Sequence, residues 1–223
     1  MLTNKRILIT GANGGIGIEI AKKFISNNLV LLYNHDRTQI DKLLANFPDA
    51  KIDVFRTDLC DTNQITYTMQ QILQSNPIQV FIHSVTPPIE HVEFLKTNWN
   101  QVQLNIDIQV KSFFNIVKHI VPSMKEKKYG KIICILSSYV VGAPPKNLTS
   151  YMMAKHSLLG LNKSLAVELA PFGINVNCVS PSMVDTQLVS KLPSKLKEIT
   201  AKQNPMQRLA KPYDVASVVL SIA

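Results

Sequence analysis

Short runs of apolar, β-branched residues alternate along the chain with longer stretches whose apolar positions recur every three or four residues. Arg6–Thr10, Val30–Tyr33, Asp53–Arg56, Val80–His83, Lys131–Leu136 and Ile174–Val179 are the kind of compact apolar run that forms strands buried on both faces. Between them, Ile16–Ser26, Ile40–Ala45, Gln64–Leu73, Trp99–His119 and Tyr151–Ala170 carry the helical period. Strand and helix in alternation build a parallel sheet covered on both sides, because each crossover lays its helix on a face. The pattern predicts one doubly wound α/β domain of three layers, with ligands at the carboxyl ends of its strands. No linker, low-complexity segment or solenoid-length repeat interrupts it.

Composition narrows the class. With 223 residues, 46% of them apolar and 17% charged, the chain can bury a core and is not a disordered polymer. Its apolar runs fall far short of the ~20 residues that cross a bilayer, and Met1–Arg6 is too short an apolar stretch for a leader. Cys60, Cys134 and Cys178 are odd in number and lack metal-ligand spacing, so they read as small core residues of a reducing compartment, the cytoplasm. The net charge of +9 raises the question of nucleic acid. Its lysines and arginines are scattered and not interleaved with aromatic residues that could stack bases, which argues against that partner. The densest group, Lys125, Lys127, Lys128 and Lys131, reads as a solvated helix end or as a docking patch for an acidic partner.

Candidate chemistry begins where the first strand runs into Thr10-Gly11-Ala12-Asn13-Gly14-Gly15-Ile16-Gly17. Glycines there permit a tight turn and close approach of backbone to a pyrophosphate seated on the following helix N-terminus. Further on, Tyr151 and Lys155 stand at i and i+4 on one helix face. A cation beside a phenol favours the phenolate and draws its pKa toward the range useful for proton transfer. Ser137 and Ser138 end the preceding strand, and Ile174-Asn175-Val176-Asn177-Cys178-Val179-Ser180-Pro181 follows the helix.

In this combination, over essentially its whole length, the chain resembles the short-chain dehydrogenases/reductases (SDR). The closest likeness is to the compact, 3-oxoacyl-carrier-protein reductase-like group. The glycine loop alone fits both the compact spacing (Gly11, Gly15, Gly17) and the extended one (Gly11, Gly14, Gly17), but the extended subfamily's large C-terminal region finds no room here. The resemblance implies a single NAD(P)-binding Rossmann domain over 1–223, and hydride exchange between a nicotinamide and a carbonyl or secondary alcohol. Tyr151 is then the acid/base, Lys155 lowers its pKa and holds the nicotinamide ribose, and a serine holds the carbonyl oxygen. Counting along the strand from Lys131 leads to Ser137, and counting back from Tyr151 leads to Ser138; strand register favours Ser137. Gly11, Asn13, Gly14, Gly15, Ile16 and Gly17 would hold the pyrophosphate, Asp58 and Leu59 the adenine, and Pro181, Val184 and Thr186 the carboxamide.

Several positions depart from the family pattern. His83-Ser84-Val85-Thr86 replaces Asn-Asn-Ala-Gly, leaving His83 as either a cofactor contact or a structural histidine. Gln109 occupies the place of the family's catalytic asparagine, with Asn105 one turn earlier as the alternative, and Ser182 replaces a glycine. Asp58 reads equally as a helix cap. Tyr33-Asn34-His35-Asp36-Arg37 has no acid directly at the strand end, so Arg37 favours NADP over NAD, although Asp36 opposes it. The chain stops at Ala223, before the final strand and tail of the family. The resemblance further implies a small carbonyl or alcohol substrate, which an acidic acyl carrier could deliver, and a homodimer or homotetramer packed through Trp99–His119 and Tyr151–Ala170. The region around Gln187–Asn204 is expected to form a substrate lid. The rival reading is a non-catalytic nucleotide-binding or scaffold protein on the same fold.

Overall fold

The computed structural model describes residues 4–190 and 192–223. The first three residues, on which part of the leader reading rests, and Lys191, inside the region read as a lid, lie outside the described residues. Six strands form one parallel sheet in the order β3-β2-β1-β4-β5-β6. They are β1 (Arg6–Thr10), β2 (Asn28–Tyr33), β3 (Ile52–Arg56), β4 (Val80–His83), β5 (Gly130–Ile135) and β6 (Ile174–Val179). All residues of the central strands β1 and β4 are buried, as expected of a sheet covered on both faces.

Alternate side chains of each strand feed two cores. On one face Ile7, Ile9, Leu29, Leu31 and Ile82 meet α1 (Gly15–Lys23), α2 (Thr38–Asn46) and α8 (Pro212–Ile222). On the other, Leu8, Val30, Phe81, Ile132 and Cys134 meet α3 (Thr62–Ser75), α5 (Ser112–Lys127) and α6 (Thr149–Leu169). Strand order reverses between β1 and β4, and the crossovers leave there in opposite directions, opening a crevice at the carboxyl ends.

The helix expected over Trp99–His119 is neither regular nor confined to those bounds. It runs as α4 (Trp99–Ile106), widens into a π-turn over Asp107–Lys111, and continues as α5 to Lys127. At the widening, the Ser112 N–H returns to the Asp107 carbonyl, five residues back. Such bulges recur at functional sites. Two further helices escaped the periodicity reading. In α8, Val215, Ala216 and Val219 pack against α1, with Pro212 at its first turn and Asp214 accepting the Lys211 N–H. In α7 (Ser194–Gln203) no side chain is buried, so there is no apolar stripe to read.

Candidate active site

At the reversal point, a cleft of about 290 Å³ is lined by Gly11 and Gly14 of the glycine turn, Leu32–Asn34 at the end of β2, Thr57–Leu59 after β3, Ser84–Pro87 after β4, and Ile108 in the π-turn. Gly11 has φ +65, and a Cβ there would collide with the Ser84 carbonyl; at Gly17 it would collide with the Gly11 carbonyl. The turn therefore closes against β4 only because these positions lack side chains. Gly14 caps α1 without a side-chain hydrogen bond, and no acid stands in the first turn. The amide donors at that helix start meet no competing carboxylate, which suits a pyrophosphate. The residues present thus fit a dinucleotide: a glycine turn for phosphates, and Asn34 and Asp58 on the walls for ribose and adenine.

The proton-transfer candidates lie at the carboxyl end of β5. Ser137 is buried just beyond the strand, where its Oγ accepts the Tyr139 N–H at 3.3 Å. Its hydroxyl also bears on the Tyr151 phenol, drawing that pKa down. Ser138 instead opens a short 3-10 turn and donates its N–H to the Pro181 carbonyl at 2.8 Å, tying the loops after β5 and β6 together. On α6, Lys155 is 2% exposed; its Nζ lies 5.7 Å from the centre of the Tyr151 ring and donates to the Ile135 carbonyl at 2.9 Å. Burial draws the Lys155 pKa down to about 8. The Tyr151 phenol moves up, first through burial and then through the neighbouring Tyr139, with the Ser137 hydroxyl pulling the other way. Lys155 was expected to lower the phenol's pKa. Here the ammonium sits over the ring and on a strand carbonyl rather than on the hydroxyl, and desolvation dominates.

Other expected residues take different positions. The His83 ring is engaged inside the fold: the residue is 1% exposed, with Nδ1 2.9 Å from Thr10 Oγ1 and Nε2 2.9 Å from the Gln109 carbonyl. Gln109 and Asn105, the alternatives for the catalytic amide, are hydrogen-bonded to each other, Gln109 Nε2 donating to Asn105 Oδ1 at 3.0 Å. Gln109 Oε1 accepts from Thr86 at 3.3 Å and the residue is wholly buried, so this amide braces the cleft wall rather than facing substrate. Asn13 Oδ1 accepts the Gln39 and Ile40 N–H groups and its Nδ2 donates to Asp36, so the side chain caps α2. The cap of α3 is Asp61, not Asp58; Asp58 folds onto the Cys60 N–H and lines the cleft. Arg37 pairs with Asp41 at 2.8 Å on the surface. Val184 is buried and Thr186 packs on Gly15. Sequence reasoning did not assign Thr57, Ser84–Pro87 and Ile108 to the cleft; strand parity after β4 is a signal that reaches Ser84–Thr86, whereas Ile108 enters only through the π-turn. Among the described residues no cluster of potential metal ligands occurs, and no helix is long and apolar enough to cross a membrane.

The sheet order and the glycine turn define an α/β fold of the dinucleotide-binding type. A family model described as enoyl-(acyl carrier protein) reductase matches residues 11–223. The chain is 29% identical to the 3-oxoacyl-acyl-carrier-protein reductase of Thermotoga maritima, covering 100% of this chain and 91% of that protein. It is 30% identical to the 3alpha-hydroxysteroid dehydrogenase of Mediterraneibacter gnavus, over 100% and 91%. Among solved structures, levodione reductase superposes with a TM-score of 0.91 at 22% identity, over 100% and 91%. ElxO with NADP bound does so with 0.88 at 23%, over 99% and 92%. The chain belongs to the short-chain dehydrogenase/reductase family, whose members act on CH–OH groups with NAD(P).

Proposed function

We propose that the protein interconverts a carbonyl and a secondary alcohol, with NADPH preferred over NADH. The observation that carries this is the gathering of buried Ser137, Tyr151 and Lys155 at the carboxyl end of β5, with the Lys155 Nζ 5.7 Å from the Tyr151 ring centre and the glycine-turn cleft at the same end of the sheet. Ser137 and Tyr151 would offer two hydroxyls to a carbonyl oxygen as it becomes an alkoxide; donors aimed at developing charge are usually the largest catalytic term. In reduction the Tyr151 O–H bond breaks and its proton goes to that oxygen. Lys155, one turn further along the same helix, holds the ribose. A bound nicotinamide supplies the hydride.

Preference for the phosphorylated nucleotide is supported at the end of β2. The cleft residue there is Asn34, not an acid. Asp36 is engaged by Asn13 and Thr38, and two cations flank the spot: Arg37, and Arg56, whose Nε donates to the Asn34 carbonyl at 3.1 Å. The named relatives support a 3-oxoacyl or alicyclic carbonyl as substrate. The Lys125–Lys131 group lies at the end of α5 and the start of β5, while Ser137 follows the end of β5, roughly 20 Å from Lys131 by strand rise. An acidic carrier docked there would need a long flexible arm to reach the site. Exposed Trp99, Leu104 and Phe114 on α4 and α5, and Val167 on α6, support assembly into a homodimer or homotetramer.

Titration of nicotinamide emission and Trp99 quenching with NADPH and, separately, NADH tests the reading. Saturable binding with NADPH tighter is the expected result. Binding of neither nucleotide overturns it and brings forward a scaffold role.

A further inference from the structure

His83 has a job that the cofactor reading does not contain. It pairs with Thr10 across the β1–β4 ladder, and its ring stands edge-on to Phe81 and Phe113, with centroids 5.8 and 5.3 Å away. A backbone carbonyl can only accept, so the 2.9 Å contact with Gln109 O places the proton on Nε2. Nδ1 is then the acceptor for the Thr10 hydroxyl, 2.9 Å away, and Thr10 Oγ1 in turn meets the Ser84 N–H at 3.4 Å. The donors form one directed chain from the loop after β4 to the π-turn.

The two anchors of the ring matter because of what stands next to them. Thr10 precedes Gly11, and Gln109 follows Ile108; Gly11 and Ile108 both line the cleft. A second bond, from Thr86 to the Gln109 amide, joins another cleft residue to the same turn. We propose that His83 is a positioning residue: as the Nε2–H tautomer it ties the root of the glycine turn to the π-turn and so sets the width of the nucleotide cleft. This rests on the reading of that cleft as the dinucleotide site. The ring touches neither Ser137 nor Tyr151 through a hydrogen bond, so its influence falls on the nucleotide rather than on the carbonyl substrate.

The test is His83→Phe, which keeps an aromatic ring between Phe81 and Phe113 but removes both hydrogen bonds, compared with His83→Gln, whose amide can donate to Gln109 O. Expected for His83→Phe is a rise in Kd and KM for NADPH of roughly tenfold or more, with the carbonyl KM within twofold of the parent; His83→Gln recovers part of the loss. If His83→Phe does not fold, Thr10→Val removes the Nδ1 bond alone and is expected to shift nucleotide Kd in the same direction by less. In ¹⁵N-histidine spectra of the unmodified protein, His83 is expected as a neutral Nε2–H ring that does not titrate between pH 5 and 8. A Nδ1–H tautomer, titration near the ordinary value, or nucleotide Kd unchanged in the folded variants overturns the tie. If the unmodified protein binds neither nucleotide, the reading of the cleft fails instead, which the parent titration shows before any variant is compared.

Discussion

In the proposed reaction Tyr151 and Lys155 set the chemistry, and they carry opposite costs. Tyr151→Phe removes the proton donor and little volume, so kcat is expected to fall about 10²–10⁴-fold while fluorescence titration finds nucleotide Kd unchanged. Burial holds the phenol above its ordinary value, so the proton is in place throughout the neutral range. Carbonyl reduction is expected to be flat from about pH 6 to 7 and to fall as Lys155 loses its proton near 8, while alcohol oxidation, which needs the phenolate, gains from rising pH until Lys155 is neutral. Lys155 binds its proton more weakly folded, at about 8, than in the unfolded chain at 10.5. The unfolded state therefore holds the extra proton between those values, and stability gained from this group rises with pH across that window. Below it the buried ammonium costs about 3 kcal/mol at ~1.36 per unit. Lys155→Met is expected to be inactive yet more stable in urea at pH 7, with its advantage shrinking from pH 8 toward 10.5. At the cleft rim, Arg37→Ala and Arg56→Ala should each weaken NADPH by roughly 5- to 30-fold, about 1–2 kcal/mol for a bond to a charged group, and leave NADH titrations nearly unchanged.

Among the elements, the glycine turn and the π-turn work in different ways. The turn depends on absent side chains: Gly17→Ala drives a Cβ into the Gly11 carbonyl and Ala12, so α1 must slide off β1. Nucleotide binding is expected to be lost, with a lower midpoint in chemical denaturation. This dependence was legible in the spacing Gly11, Gly14, Gly15, Gly17 following an apolar strand. The π-turn was not legible in the apolar pattern, although the resemblance puts a bend of the long helix at Gln109. Its apolar residues fit a regular helix, and the inserted residue shows only when Gln109 is seen directed to Asn105 and Thr86 and its carbonyl to His83. Asn13 shows the same limit: its neighbours marked it as part of a phosphate loop, and its amide caps a helix 26 residues away in sequence.

For the whole molecule, ligand and assembly act on one folding equilibrium. A nucleotide at a hundredfold excess over its Kd stabilises the native state by about 2.7 kcal/mol, which for a chain of this size raises Tm by roughly 5–10 °C. Scanning with NADPH is expected to show that rise, and NADH a smaller one at equal concentration. The apolar side chains left exposed on α4, α5 and α6, with Val167 at 80% and Trp99 at 65%, belong to a surface that an oligomer would cover. Sedimentation is expected to find a dimer or tetramer, and Phe114→Lys combined with Val167→Lys to shift it toward monomer.

The alternation of apolar strands with amphipathic helices was enough to determine the three layers and the carboxyl-end location of the site. Burial on both faces leaves these strands no other way to remove their side chains from water, and that demand is written residue by residue. Tyr151 and Lys155 share a helix face for an equally local reason, the i, i+4 spacing. What only the tertiary structure decided concerns contacts between distant segments. It determined that Lys155 rests on the Ile135 carbonyl and that the His83 ring joins Thr10 to Gln109. Hydrogen bonds of this kind depend on where separate elements come to rest against one another, to within a few tenths of an ångström, and no period along the chain encodes that distance.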